Sequence, residues 1–243
     1  MEMCRPHILI CGRKRAGKTT LIDRIIGETS LPVYGYKTQM VRDARDEYGH
    51  VFIVPAGGGL VSETGRSSKA GRVSSTDRIN STVKDSINIR DSRTSIVSIT
   101  GRTGGNEVGI AGGRVIRVNP DVFNSIGCAL VRSGGEDGEG MIVMDEIGYM
   151  EDEADDFCAA VREAFDGDIP VLASIKRTEH ASRHINTILH HPRANVFMLT
   201  ESNREEVYAK VSEIVKEWER NCDWNRDLNC DRNRARRGGA REV

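Results

Sequence analysis

The stretch GRKRAGKTT, residues 12–20, decides the fold of this chain. It fits the pattern G-x-x-x-x-G-K-[ST], a loop whose backbone N–H groups surround the phosphates of a nucleotide. The run HILIC (7–11) before it predicts a buried strand. The apolar residues after it share one face of a predicted helix: Leu21, Ile22, Ile25 and Ile26. Strand, loop and helix form the context in which this motif holds phosphate, so we expect a nucleotide site here.

Each part of the loop has an expected role. Lys18 reaches the β- and γ-phosphates and is a predicted catalytic residue, while the hydroxyl of Thr19 binds Mg²⁺. Arg15 has two open interpretations, a guanidinium that faces solvent or one that folds over the γ-phosphate. The residues predicted to bind nucleotide are Gly12, Arg13, Lys14, Arg15, Ala16, Gly17, Lys18, Thr19 and Thr20.

A second segment, MIVMDEIG (141–148), is expected to complete the site. Its apolar residues predict a buried strand, and Asp145 ends that strand at the edge where open α/β sheets bind ligands. We expect Asp145 to hold Mg²⁺ and Glu146 to polarise a water for attack on the γ-phosphorus. The predicted nucleotide-binding residues of this segment are Met141, Ile142, Val143, Met144, Asp145, Glu146, Ile147 and Gly148.

The rest of the chain alternates predicted strands with helices, among them helices over 151–166 and 203–220. This alternation implies a mainly parallel sheet in a three-layer α/β/α domain over residues 1–220. Residues 57–113 interrupt the alternation. They are rich in Gly, Ser, Thr and charge, and only 94–100 has a strand pattern, so we expect a polar insertion or lid. Residues 221–243 contain few aliphatic side chains and predict a disordered basic tail.

Composition excludes several classes of protein. With 35 basic and 36 acidic residues the formal charge is −1, so nucleic acid is not an expected partner. No apolar run is long enough to cross a membrane. The cysteines have no zinc spacing, and reduced thiols favour a cytoplasmic protein.

Four stretches resemble the nucleoside-triphosphate phosphatase family, which includes the cancer-related nucleoside triphosphatase and prokaryotic thermophile relatives. They are GKTTLI (17–22), PVYGYKTQMVR (32–42), MIVMDEIGYME (141–151) and VFMLTESNREEV (196–207). The resemblance implies a RecA-like or kinase-like phosphate-loop fold and Mg²⁺-dependent hydrolysis of ATP, GTP and other nucleoside triphosphates to diphosphate and phosphate. It places nucleotide contacts at 12–19 and 141–148. The loop departs from the family's usual G-x-P-G-V-G-K-T at Lys14, Arg15 and Ala16.

Two weaker signals complete the predicted site. Thr200, Asn203 and Arg204 follow the last predicted strand and could contact base or ribose, although a capping box of Ser202 and Glu205 also explains them. Lys176 and Arg177 follow another strand and either could approach the phosphates, although solvated charge is the simpler interpretation.

Other functions stay open at this point. The phosphate loop with GKTTLI also resembles the GTP-binding adaptor of molybdopterin-guanine-dinucleotide biosynthesis. A nucleotide-regulated module with an unknown protein partner and a small-molecule or nucleotide kinase are further alternatives.

Overall fold

A computed structural model describes residues 7–42, 48–57, 86–91, 94–100, 105–112, 114–134, 139–176 and 182–238. Predictions about residues 58–85 and about the end of the tail, 239–243, fall outside these ranges. The strands are β1 (His7–Gly12), β2 (Val33–Val41), β3 (Gly49–Pro55), β4 (Ser86–Asp91), β5 (Thr94–Thr100), β6 (Glu107–Gly112), β7 (Arg114–Val118), β8 (Met141–Ile147), β9 (Val171–Lys176) and β10 (Ala194–Leu199). The helices are α1 (Lys18–Glu28), α2 (Pro120–Val122), α3 (Cys128–Arg132), α4 (Asp155–Asp166), α5 (Arg183–Leu189) and α6 (Arg204–Gly238), with a π-helical turn (Phe123–Gly127) joining α2 to α3.

The main sheet has eight strands in the order β10-β1-β9-β8-β2-β3-β6-β7. The strands from β10 to β2 run parallel, whereas β3, β6 and β7 extend the sheet as antiparallel strands. The predicted α/β fold with a mainly parallel sheet is therefore confirmed. The order matters for the site because β9 lies between β1, which leads into the phosphate loop, and β8, which carries Asp145.

Helices cover both faces of the parallel part of the sheet. Alternate residues of β8 point to opposite faces, so Met141 and Val143 pack with α1 and α6 while Ile142 and Met144 pack with α3 and α4. All four are at most 4% exposed. A strand buried on both faces is expected to be continuously apolar, which is what the sequence of β8 shows up to Asp145.

The structure corrects the prediction that 94–100 is the only strand within 57–113. Strands β4 and β5 pair as a separate two-stranded antiparallel sheet, and β6 joins the main sheet between β3 and β7. Val108 of β6 is fully buried, and the side chain of Asn106 donates to the carbonyl of Ile53 at 3.0 Å. The stretch EVGIAG was hard to recognise because it is short and its glycines carry no strand signal.

Two helix boundaries also differ from the predictions. The helix expected over 151–166 begins at Asp155, because residues 149–153 form turns in which Glu151 is buried. The last helix, expected to end near 220, continues to Gly238, so it extends into the tail that was predicted as disordered. No glycine or proline interrupts residues 204–237, and Cys222 is buried in the same apolar cluster as Trp218.

Gly35 allows β2 to approach β8 closely. Its φ is +88°, and a Cβ added there would lie 2.1 Å from the carbonyl oxygen of Val143. Both the left-handed backbone and the contact with β8 therefore require glycine.

We predict that Gly35→Ala lowers the free energy of unfolding by at least about 2 kcal/mol, since it combines left-handed strain with a backbone clash. Gly27→Ala is the matched control, because Gly27 is exposed on α1 with nothing near its added Cβ. It should stabilise the protein slightly through helix propensity. Urea unfolding measures both variants, and equal stability of the two would contradict this account of Gly35.

Candidate nucleotide site

The phosphate loop joins β1 to α1 and has the backbone that the motif requires. Gly17 has φ 102° and caps the N-terminus of α1, so the first N–H groups of the helix point toward the loop. The Nζ of Lys18 donates to the carbonyls of Gly12 at 3.1 Å and Arg13 at 3.3 Å, and Lys18 is only 7% exposed. Ala16 is buried, whereas Arg13, Lys14, Arg15, Thr19 and Thr20 are exposed.

Arg15 has a left-handed backbone with φ 65°, a conformation that glycine adopts without cost. Its side chain is exposed. The choice between a solvent-facing Arg15 and one that contacts the γ-phosphate stays a prediction to test.

Arg204, at the start of α6, reaches the loop from the β10 side. Its Nε donates to the carbonyl of Ala16 at 2.7 Å and its Nη2 to the carbonyl of Arg15 at 3.3 Å. The same guanidinium covers Gly17, where an added Cβ would lie 3.0 Å from Nε. Arg204 therefore fixes the outer arc of the loop, a role that the sequence did not predict.

The predicted base contacts Thr200 and Asn203 form the turn between β10 and α6. Asn203 Oδ1 accepts from the N–H of Thr200 at 2.8 Å, and its Nδ2 donates to the carbonyl of Met198 at 2.8 Å. The alternative capping box is wrong, because Glu205 bonds Arg24 on α1 and the Ser202 hydroxyl contacts that of Thr200. Asn203, through its own amide, orders this turn instead. A role in base binding stays a prediction.

Asp145 lies on β8 directly opposite Ser174 of β9. It is 1% exposed, and its Oδ1 accepts a 2.5 Å hydrogen bond from the Ser174 hydroxyl. This bond fixes the carboxylate and leaves its second oxygen for another ligand. Strand β8 continues beyond the predicted end at 145 to Ile147, so Glu146 belongs to the strand as well.

A pocket of about 220 Å³ opens where β8 and β9 end. It is at this place that the structure brings the phosphate loop and the acidic strand together. The polar and charged groups that line the pocket include Lys14, Thr19, Glu146, Glu151 and Lys176, and Gly148 lies beside them. The side chains of residues 141–144 lie in the core, where they support Asp145.

Lys176 ends β9, the strand between the loop and Asp145, and pairs in register with Gly12. Its Nζ lies 5.4 Å from the ring centre of Tyr149, and no ion pair of Lys176 is found among the described residues. The ammonium of Lys176 therefore lies at the strand end between the phosphate loop and Asp145.

Glu151 is a site residue that the sequence reasoning missed. It is 3% exposed, and its Oε2 accepts from the N–H of Gly148 at 2.9 Å. Burial raises the pKa of this carboxyl to about 8, the bond from Gly148 lowers it, and the nearby Glu146 raises it. One signal in the sequence could have identified Glu151. It lies three residues after Gly148, a spacing at which a carboxylate can turn back and accept from a backbone N–H. Tyr36 lies below this turn, and its hydroxyl points at the carbonyl of Glu146 at 3.5 Å.

The comparisons with known proteins agree with this geometry. A family model described as NTPase matches residues 85–212, slightly more than half of the chain. The chain belongs to the NTPase family. The match includes Asp145 and Glu146 but begins after the phosphate loop, so Lys18 and Thr19 rest on the motif and the geometry.

A solved structure shares the fold. The crystal structure of THEP1 from the hyperthermophile Aquifex aeolicus matches with a TM-score of 0.52 and 20% identity, over 84% of this chain and 96% of that one. No curated protein matches the chain by sequence. None of the helices in the described ranges has a stretch apolar and long enough to cross a membrane.

The buried Glu151 makes stability depend on pH. Its pKa is raised in the folded protein, so the folded state keeps a proton that the unfolded state loses above about pH 4.5. We predict that the free energy of unfolding falls as pH rises toward 8, by about 1 kcal/mol per pH unit, and that Glu151→Gln removes this fall.

Denaturant unfolding at pH 6.5, 7.0, 7.5 and 8.0 measures the effect. Burial lowers the pKa of His7 to about 4 and that of His184 below its usual 6.5, so both imidazoles add a rise in stability with pH near 6.5 that is common to all the variants compared. Glu153→Gln is the control, since Glu153 is exposed two residues away and should keep the wild-type slope. A wild-type slope in the Glu151→Gln variant would show that Glu151 is ionised in the folded state.

Proposed function

We propose that this member of the NTPase family hydrolyses nucleoside triphosphates, ATP and GTP among them, to diphosphate and phosphate in a Mg²⁺-dependent reaction. The observation that carries the proposal is the shared pocket of Thr19, which follows the phosphate-loop lysine, and Glu146, which follows the buried Asp145. The proposal assigns phosphate binding to the loop, and water activation to the acidic end of β8.

The loop supplies the phosphate contacts. In the structure the ammonium of Lys18 bonds carbonyls of its own loop. With nucleotide bound, it exchanges these neutral acceptors for the charged oxygens of the β- and γ-phosphates, which bind an ammonium more strongly. The helix N–H groups behind Gly17 bind the same phosphates.

The donor atoms fit a magnesium ion. The hydroxyl of Thr19 and the carboxylate of Asp145 are oxygen ligands, the kind that Mg²⁺ prefers. No cluster of three His, Cys, Asp or Glu side chains able to hold a metal is found in the described part of the chain. Thr19 and Asp145 would hold the ion together with oxygen ligands from outside the protein. A bound Mg²⁺ would neutralise charge on the phosphates.

In this proposal Glu146 activates the attacking water. Its side chain lines the pocket beside Thr19, so the carboxylate can hold a water next to the γ-phosphate and accept its proton. The water oxygen bonds the γ-phosphorus as the bond to the β–γ bridging oxygen breaks, and the diphosphate leaves. Glu151 accepts from the N–H of Gly148 and so fixes the turn after β8. In this way Glu151 helps to position Glu146.

We expect Glu146→Gln to lower kcat by about 100-fold or more, the usual effect of losing a general base. The affinity for Mg-nucleotide should change only a few-fold, because the amide keeps the shape of the side chain. Phosphate release and equilibrium binding of Mg-ATP and Mg-GTP measure the two effects separately. Asp152→Asn serves as the control, because it neutralises an exposed carboxylate on the turn that follows β8. Hydrolysis at the wild-type rate in the Glu146→Gln variant would eliminate Glu146 as the base.

Lys176 is expected to stabilise the charge that develops on the γ-phosphate. We predict that Lys176→Met lowers kcat by about 10-fold or more with little change in KM, and that Lys176→Arg retains part of the rate. Lys210→Met, which removes a surface lysine paired with Glu206, is the control. If Lys176→Met raised KM alone, Lys176 would bind substrate without acting on the transition state.

A further inference from the structure

The pocket of about 220 Å³ is also lined by residues that the attack of water does not use. Beyond Glu146 and Thr19 the pocket continues along the end of β2, where Thr38, Met40 and Arg42 line it. The proposed donor groups, Thr19 and Glu146, account for one part of this lining, and the residues at the end of β2 have no role in hydrolysis.

Part of the pocket wall is apolar. It is formed by residues from separate parts of the fold, namely Met40, Val51, Ala111, Phe123 and Met150. Tyr149 adds an aromatic ring that is 41% exposed. A water nucleophile gains nothing from such a wall, whereas an organic molecule with an apolar or aromatic body buries surface against it.

Two cations stand at the rim of the pocket. Lys14 comes from the phosphate loop and Arg42 from the end of β2, and both are exposed. Neither forms a salt bridge with any described residue. Unpaired cations beside a triphosphate site suit a second anion, because they offset its repulsion from the γ-phosphate.

We propose that this pocket binds a small phosphate monoester with an apolar or aromatic body, and that the monoester replaces water as the phosphoryl acceptor. An oxygen of its phosphate bonds the γ-phosphorus as the bond to the β–γ bridging oxygen breaks. The triphosphate becomes a diphosphate, and the acceptor gains the phosphoryl group as a second phosphate. A phosphate dianion needs no deprotonation, so the proton balance is complete without a base. The proposal rests on the proposed function for the donor site and adds an acceptor to it.

The test uses nucleoside monophosphates as probes, since each carries a phosphate and an aromatic base. Full-length protein is incubated with Mg²⁺ and γ-labelled ATP or GTP, with and without AMP, GMP, CMP, UMP or dTMP. Products are separated so that labelled phosphate and labelled nucleoside diphosphate are counted in the same sample. We expect labelled diphosphate from at least one monophosphate, and labelled phosphate when no acceptor is added.

Variants connect transfer to the pocket. Arg42→Met should lower the ratio of transfer to hydrolysis at least 10-fold, and Arg42→Lys should restore part of it. Arg183→Met, which changes an exposed arginine on α5, should leave both rates unchanged. Labelled phosphate without labelled diphosphate from any of the five probes overturns the acceptor proposal and leaves the proposed hydrolysis intact. Transfer with an unaltered ratio in both Arg42 variants also overturns the assignment to this pocket. If neither product forms, the donor site itself has failed and both proposals are overturned.

Discussion

The candidate site depends on the parallel pairing of β1, β9 and β8. This pairing sets the loop after Gly12 opposite the end of β9, and Asp145 opposite Ser174. Adjacent strands are about 5 Å apart, so one intervening strand separates the loop strand from the acidic strand by about 10 Å. That gap is wide enough for the terminal phosphates, a metal ion and a nucleophile.

The apolar core fixes the spacing of these strands. It also surrounds acidic side chains, whose burial costs free energy. Strand β8 is apolar on both faces until Asp145, and the next turn buries Glu151. A buried carboxyl is stabilised either by a hydrogen bond donor or by a proton. Asp145 accepts from the hydroxyl of Ser174, and Glu151 accepts from the N–H of Gly148. The pKa of Glu151 is raised because its backbone hydrogen bonds do not offset its burial. The fold holds a pH-sensitive group here, and that group fixes the turn that follows Glu146.

The sequence predicted those parts of the site that lie within one continuous segment. The loop motif located Lys18 and Thr19, and the apolar run before Asp145 located the acidic strand, because both signals depend on local spacing. Contacts between distant segments were not predictable in this way. The pairing of Asp145 with Ser174 depends on strand register, and the bond from Arg204 to the loop on how α6 packs. Strand β6 was not predicted, because its glycine-rich sequence has no strand pattern of its own. It is extended through its pairing with β3 and β7.

The charged phosphate loop can be understood from its backbone. A loop with Arg15 in a left-handed conformation bears a strain that glycine would avoid, about 1 kcal/mol or more. Arg204 bonds the carbonyls of Arg15 and Ala16 from outside, while Lys18 bonds those of Gly12 and Arg13 from inside. The bonds from Arg204 hold the loop even when Lys18 turns to the phosphates, and the backbone N–H groups of this loop are the ones that bind phosphate. The side chains of residues 13–15 can therefore be charged without altering the backbone of the loop. Lys14 lines the same pocket as Thr19 and Glu146.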